Sequence, residues 1–122
     1  GEGRPPKEIQ DSIVYLHAQR IGHGTTLLQD PSVVELVLKR EITIEACPTS
    51  NVHTSAISKI QDHPLKEWLK LGVSVCINTD NTFFSNVSCP QEYRRVADAL
   101  NLSDSEISTL CQNGHQARFS RN

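Results

Sequence analysis

The stretch Val73-Ser-Val-Cys-Ile-Asn78-Thr79-Asp80-Asn81 decides the fold of this chain. Val73 to Thr79 is a mostly β-branched and apolar run that reads as a strand, and it ends abruptly in carboxylate and amide side chains. Working backwards, His63-Pro64 opens a helix whose Leu65, Trp68, Leu69 and Leu71 face a core and which Gly72 closes. Working forwards, Pro90 to Leu100 places Tyr93, Val96, Ala97 and Leu100 on one helical side, and Ser103 with Glu106 forms a capping box for a further helix. The same alternation continues upstream. Ile42 to Cys47 is a β-branched strand that stops at Pro48. Asp30-Pro31 caps and starts a helix carrying Val33, Val34, Val37 and Leu38. Arg20 to His23 is a short strand bounded by Gly22 and Gly24, preceded by a helix from about Pro6 to His17 with Ile9, Ile13 and Leu16 at helical spacing.

Strand and helix alternating at about 25 to 30 residues is the βαβ pattern, whose right-handed crossovers make consecutive strands parallel neighbours. An open doubly wound sheet and a barrel both fit that pattern. No G-x-G-x-x-G follows any strand, so the dinucleotide fingerprint of the open sheet is missing. A (β/α)8 barrel needs about 250 residues and eight strands. With three strands and the stub of a fourth at Gly1-Glu2, the expected fold is α/β, three to four βα units amounting to somewhat under half of a barrel.

Composition narrows the function. The chain has 122 residues, 37% hydrophobic, with 12 basic against 14 acidic side chains and a net charge of -2. Basic residues are scattered, so no nucleic-acid partner is expected. No apolar stretch approaches the roughly 20 residues that span a bilayer, and no secretory signal is present, so a cytoplasmic protein with no membrane partner is expected. Methionine is absent, so Gly1 is not expected to be a translation start. Cys47, Cys76, Cys89 and Cys111 form no C-x-x-C pair, and free thiols are expected.

The strand ends carry the chemistry. Asp80, among Asn78, Thr79 and Asn81, fits a hard metal ligand or general base, though an isolated Asp-Asn pair more often simply makes the turn leaving a strand. His23 read alone fits a structural histidine as well as a catalyst. At the C-terminal ends of successive parallel strands, however, Glu2, His23 and Asp80 can converge on one pocket, where their types match an acid, a base and a metal ligand. Ser50 and Asn51 end the middle strand on the same face and fit either donors fixing Asp80 or the water, or a turn after Pro48. His53, His63 and His115 have no metal-ligand spacing and are expected at the surface, His17 at a helix end, and Trp68 in the core.

These motifs resemble the C-terminal part of the adenosine deaminase family, a zinc-dependent branch of the amidohydrolase barrels. Gly1-Glu2 resembles the end of the family's His-Ala-Gly-Glu, and Arg20-Ile-Gly-His23-Gly24 its Arg-hydrophobic-Gly-His-Gly. Glu45-Ala-Cys47-Pro48-Thr-Ser50-Asn51 resembles its Glu-x-Cys-Pro-x-Ser segment, and Asn78-Thr79-Asp80 the start of Asn-Thr-Asp-Asp. The resemblance implies that residues 1–122 are the C-terminal portion of one barrel domain. It also implies hydrolytic deamination of a purine nucleoside, adenosine to inosine and ammonia. Glu2 would protonate the purine at N1, His23 would orient the attacking water and assist its deprotonation, and Asp80 would bind Zn2+ and accept a hydrogen bond from that water. Asn81 stands where the family commonly has a second aspartate that holds purine N7, and its NH2 can donate to N7 without a pKa shift.

The resemblance leaves most zinc ligands outside this chain, because catalytic zinc normally takes three or more protein ligands and only Asp80 of the family's set is here. The 122 residues alone are therefore expected to be inactive and to need the remainder of the barrel or a second copy. A deaminase of adenine, AMP or a modified adenosine is the alternative within the class. A half-barrel serving as an oligomerisation or binding module is the alternative outside it.

Overall fold

A computed structural model describes residues 2–82 and 87–118. Three strands, β1 (Arg20–Gly22), β2 (Thr43–Ala46) and β3 (Ser74–Ile77), form one parallel sheet in the order β1-β2-β3. Register pairs Gly22 with Glu45 and Glu45 with Cys76. The strands alternate with α1 (Pro6–Val14), α2 (Pro31–Lys39), α3 (Pro48–His53) and α4 (Leu65–Leu71), and α5 (Cys89–Leu100) and α6 (Asp104–Ala117) follow β3. This is the expected parallel βα architecture. The stub of a fourth strand is not seen, since Glu2 lies in a turn and Gly1 falls outside the described residues.

Side chains alternate across the sheet because its period is two. Ile21, Ile44, Ala46, Val75 and Ile77 are all at most 6% exposed and join one core with Trp68 and Leu110 from the helices. The opposite face carries Arg20 and Glu45, whose charged groups lie 3.1 Å apart. Cys47 and Cys76 are buried, all four cysteines are free thiols, and burial pushes the Cys47 thiol up to about 12, so it stays protonated.

Helix ends follow local chemistry. The Asp30 carboxylate accepts the Ser32 N–H, which caps α2. The Ser103–Glu106 capping box at α6 is formed, and a second, Ser88 with Gln91, starts α5. Three helices close on a left-handed residue: Glu41 after α2, Gly72 after α4 and Asn101 after α5. In each case the next residue donates its N–H five positions back, Ile42 to Val37, Val73 to Trp68 and Leu102 to Ala97.

Two expectations need correcting. α1 stops at Val14, with His17 exposed beyond it at φ 53, so His17 is not in a helical turn. His63 is buried, 4% exposed, rather than on the surface. Its Nδ1 accepts the N–H of Leu65, the first residue of α4, and its ring meets Trp68 edge-on at 5.3 Å between centroids. A histidine here does the work of a helix-capping side chain, and burial holds its imidazole down to about 4.

Candidate active site

The site is assembled where the three strands end. The parallel ladder runs one residue past β1 and one past β3: His23 donates its N–H to Glu45 O at 2.9 Å, and Asn78 donates to Ala46 O at 2.8 Å. His23 and Asp80 then take left-handed backbone conformations, φ 66 and φ 58, which are uncommon for non-glycine residues. Gly24 continues the turn at φ 64, and a Cβ there would lie 3.1 Å from Ile44 Cγ2. Glycine serves both the backbone angle and the close approach.

The middle element differs from the expected turn. Pro48 is the first residue of α3, so Ser50 and Asn51 sit on a short helix rather than at a strand end, both buried. Ser50 donates its hydroxyl to Asp80 Oδ2 at 2.9 Å. Asn51 Nδ2 donates to Glu2 Oε1 at 2.7 Å and lies 3.1 Å from His23 Nδ1. His23 Nδ1 is 3.8 Å from Glu2 Oε1, and His23 Nε2 is 3.7 Å from Asp80 Oδ2. Glu2, Asn51, His23, Asp80 and Ser50 are thus one connected cluster, gathered from the N-terminal turn, the ends of β1 and β3, and α3. Asn81 follows Asp80 directly and is exposed.

The Asn51 amide turns its NH2 toward the Glu2 carboxylate. The second hydrogen of that NH2 then meets His23 Nδ1, which must accept. A neutral His23 therefore carries its hydrogen on Nε2, the nitrogen facing Asp80. Thr54 also donates its hydroxyl to Glu2 Oε1. Reading Pro48 only as a strand stop hid Thr54, because Asn51 and Thr54 share a face only on a helix, three residues apart.

Among the described residues, no three histidine, cysteine, aspartate or glutamate side chains stand close enough together to hold a metal ion. Asp80 suits one position of a zinc site, but a single carboxylate beside one histidine is not the three-ligand set catalytic zinc requires. The described residues do not supply a zinc-ligand set by themselves.

The adenosine deaminase family model matches residues 1–122. The chain is 39% identical over 119 residues to an adenosine deaminase of Shewanella denitrificans, covering 98% of this chain and 36% of that protein. It superposes on an adenine deaminase from Arthrobacter aurescens with a TM-score of 0.94 and 31% identity, covering all of this chain and 37% of that one. An amidohydrolase from Burkholderia ambifaria with bound Zn shares the fold, with a TM-score of 0.86 at 19% identity over 98% of this chain and 34% of that one. The chain spans about a third of the length of such relatives, and what it contains is a partial, C-terminal stretch of a (β/α)8-type amidohydrolase fold. Sequence and architecture together place this chain in the adenosine deaminase family.

Proposed function

We propose that a protein of the relatives' full length carrying this chain, called the full-length protein below, hydrolytically deaminates a 6-aminopurine nucleoside, with adenosine as the substrate. The observation that supports this most is the convergence of Glu2, His23 and Asp80, from three separated stretches of sequence, onto a network tied together by Asn51 and Ser50. A deaminase must protonate the purine ring, place a water at C6 and release ammonia. The cluster holds groups suited to the first two tasks, Glu2 for the first and His23 with Asp80 for the second.

Both donors to Glu2 land on Oε1, which leaves Oε2 to carry the proton delivered to purine N1. Protonation at N1 draws electrons from C6 and opens it to attack. His23, with its Nε2 hydrogen held toward Asp80, orients the attacking water by donation, and Asp80 is the acceptor placed to take the water's proton. Asn81 donates from its NH2 to purine N7. Zinc, when bound, supplies a water acidic enough to attack near neutral pH; Asp80 would hold it, with the other ligands coming from outside these residues.

The chain matches relatives named for adenosine and for adenine alike, so the substrate is a matter for measurement. Ammonia release by the full-length protein from adenosine, adenine, AMP and N6-methyladenosine tests the reading. Adenosine is expected to give the highest kcat/KM. Preference for adenine or AMP by more than about tenfold would reassign the substrate within the class, and no release from any of them would reject the function.

A further inference from the structure

Glu92 is a carboxylate with no exposed surface, 43 residues from Thr49 in sequence, yet it is bound directly to the helix that holds the cluster together. It lies in the first turn of α5. One oxygen, Oε1, accepts the main-chain N–H of Thr49 at 2.8 Å, and the other, Oε2, accepts the Thr49 hydroxyl at 2.5 Å. Thr49 is itself 4% exposed.

The need for this contact follows from α3. It is a helix of 6 residues, Cys47 gives it no side-chain cap, and Pro48 has no N–H. A helix that short has little stability of its own, and the Thr49 N–H has no partner within the helix. A buried acid is costly unless its oxygens are filled, and here a single residue fills both. Two bonds to one residue fix the rotation of α3 about its axis as well as its position. The next residue, Ser50, donates to Asp80, and the one after, Asn51, reaches Glu2 and His23.

We propose that Glu92 is a positioning residue: by clamping Thr49 it sets the rotation of α3 and so keeps Ser50 and Asn51 on Asp80, His23 and Glu2. The proposal rests on the reading of that cluster as the catalytic site. Glu92 acts through α3 and touches no reacting atom.

The test uses the full-length protein. Glu92→Gln keeps the volume but replaces one acceptor oxygen by a donor NH2, Thr49→Val removes the hydroxyl, and Thr49→Ser keeps both bonds. Glu92→Gln and Thr49→Val are each expected to lower kcat about tenfold with KM within about twofold, since small misplacements of positioning groups act on the chemical step. Thr49→Ser is expected to match the wild type, and the double variant to fall no further than the worse single one, because both break one clamp. A lowered melting temperature with kcat per folded molecule unchanged would make Glu92 merely structural and overturn the proposal. If Glu92→Gln does not fold, the contrast between Thr49→Val and Thr49→Ser decides alone. If the wild type deaminates no purine, the functional reading fails separately. The clamp is then judged by the 15N–1H signals of the Asn51 side-chain amide, which must shift in Thr49→Val and not in Thr49→Ser; signals unmoved in both would overturn it.

Discussion

Asn81 and Asn51 each bring an amide NH2 to the strand ends, the one proposed to meet substrate and the other bonded to Glu2. Asn81 presents a hydrogen-bond donor at any pH where an aspartate would first have to bind a proton. Replacing it with alanine in the full-length protein is expected to raise KM or lower kcat/KM by about 1 to 3 kcal/mol, read from steady-state kinetics with adenosine. Unchanged kinetics would remove Asn81 from substrate binding. Asn51 instead spends its NH2 on two acceptors, Glu2 and His23, and thereby sets the tautomer of the histidine. That Glu2, His23 and Asp80 come together was legible in the sequence, because each stands where an apolar run or a glycine turn breaks. Thr54, Thr49 and Glu92 were not, since their importance comes from contacts across 52 and 43 residues that no local pattern records.

Helices and strands were read well wherever a terminus carried its own chemistry. Asp30-Pro31, Gly72 and the Ser103–Glu106 pair all mark real ends. Glu41 makes the same left-handed closure as Gly72, but nothing in a glutamate advertises it. The short α3 was missed because proline after a strand signals a stop as readily as a first helical position. His63 escaped for a similar reason, as histidine is not a usual capping residue, and its burial has a measurable consequence. Its folded pKa of about 4 lies below the ordinary 6.5 because the charged ring is denied water. Above pH 6.5 the ring is neutral in both states and its contribution to stability is complete. As pH falls from there toward about 4, the unfolded chain takes up a proton the folded chain refuses, and stability is lost, by roughly 3 kcal/mol at most. His63→Asn keeps an acceptor for Leu65 and removes the titration. Urea midpoints at about pH 7 and pH 4.5 are expected to separate more for the wild type than for the variant. Equal separations would exclude His63 as the source.

The described residues form one sheet and helix layer with the Glu2–His23–Asp80 cluster along one end, and among them no three metal-ligating side chains stand close enough together to hold a metal ion. Strand spacing and motif order made the barrel architecture readable from sequence, because crossover geometry leaves few alternatives once the strands are known to be parallel. What could not be read was how the cluster is wired, which depends on α3 lying across the strand ends. If Glu2, His23 and Asp80 are one side of a deaminase pocket completed by residues beyond these 122, ammonia release from adenosine must depend on both. Measured side by side for the full-length protein, its Glu2→Gln variant and the 122-residue chain alone, it is expected to show turnover by the full-length protein, a loss of at least about 100-fold in Glu2→Gln, and no turnover by the short chain. Wild-type turnover by Glu2→Gln, or robust turnover by the 122 residues alone, would contradict this reading.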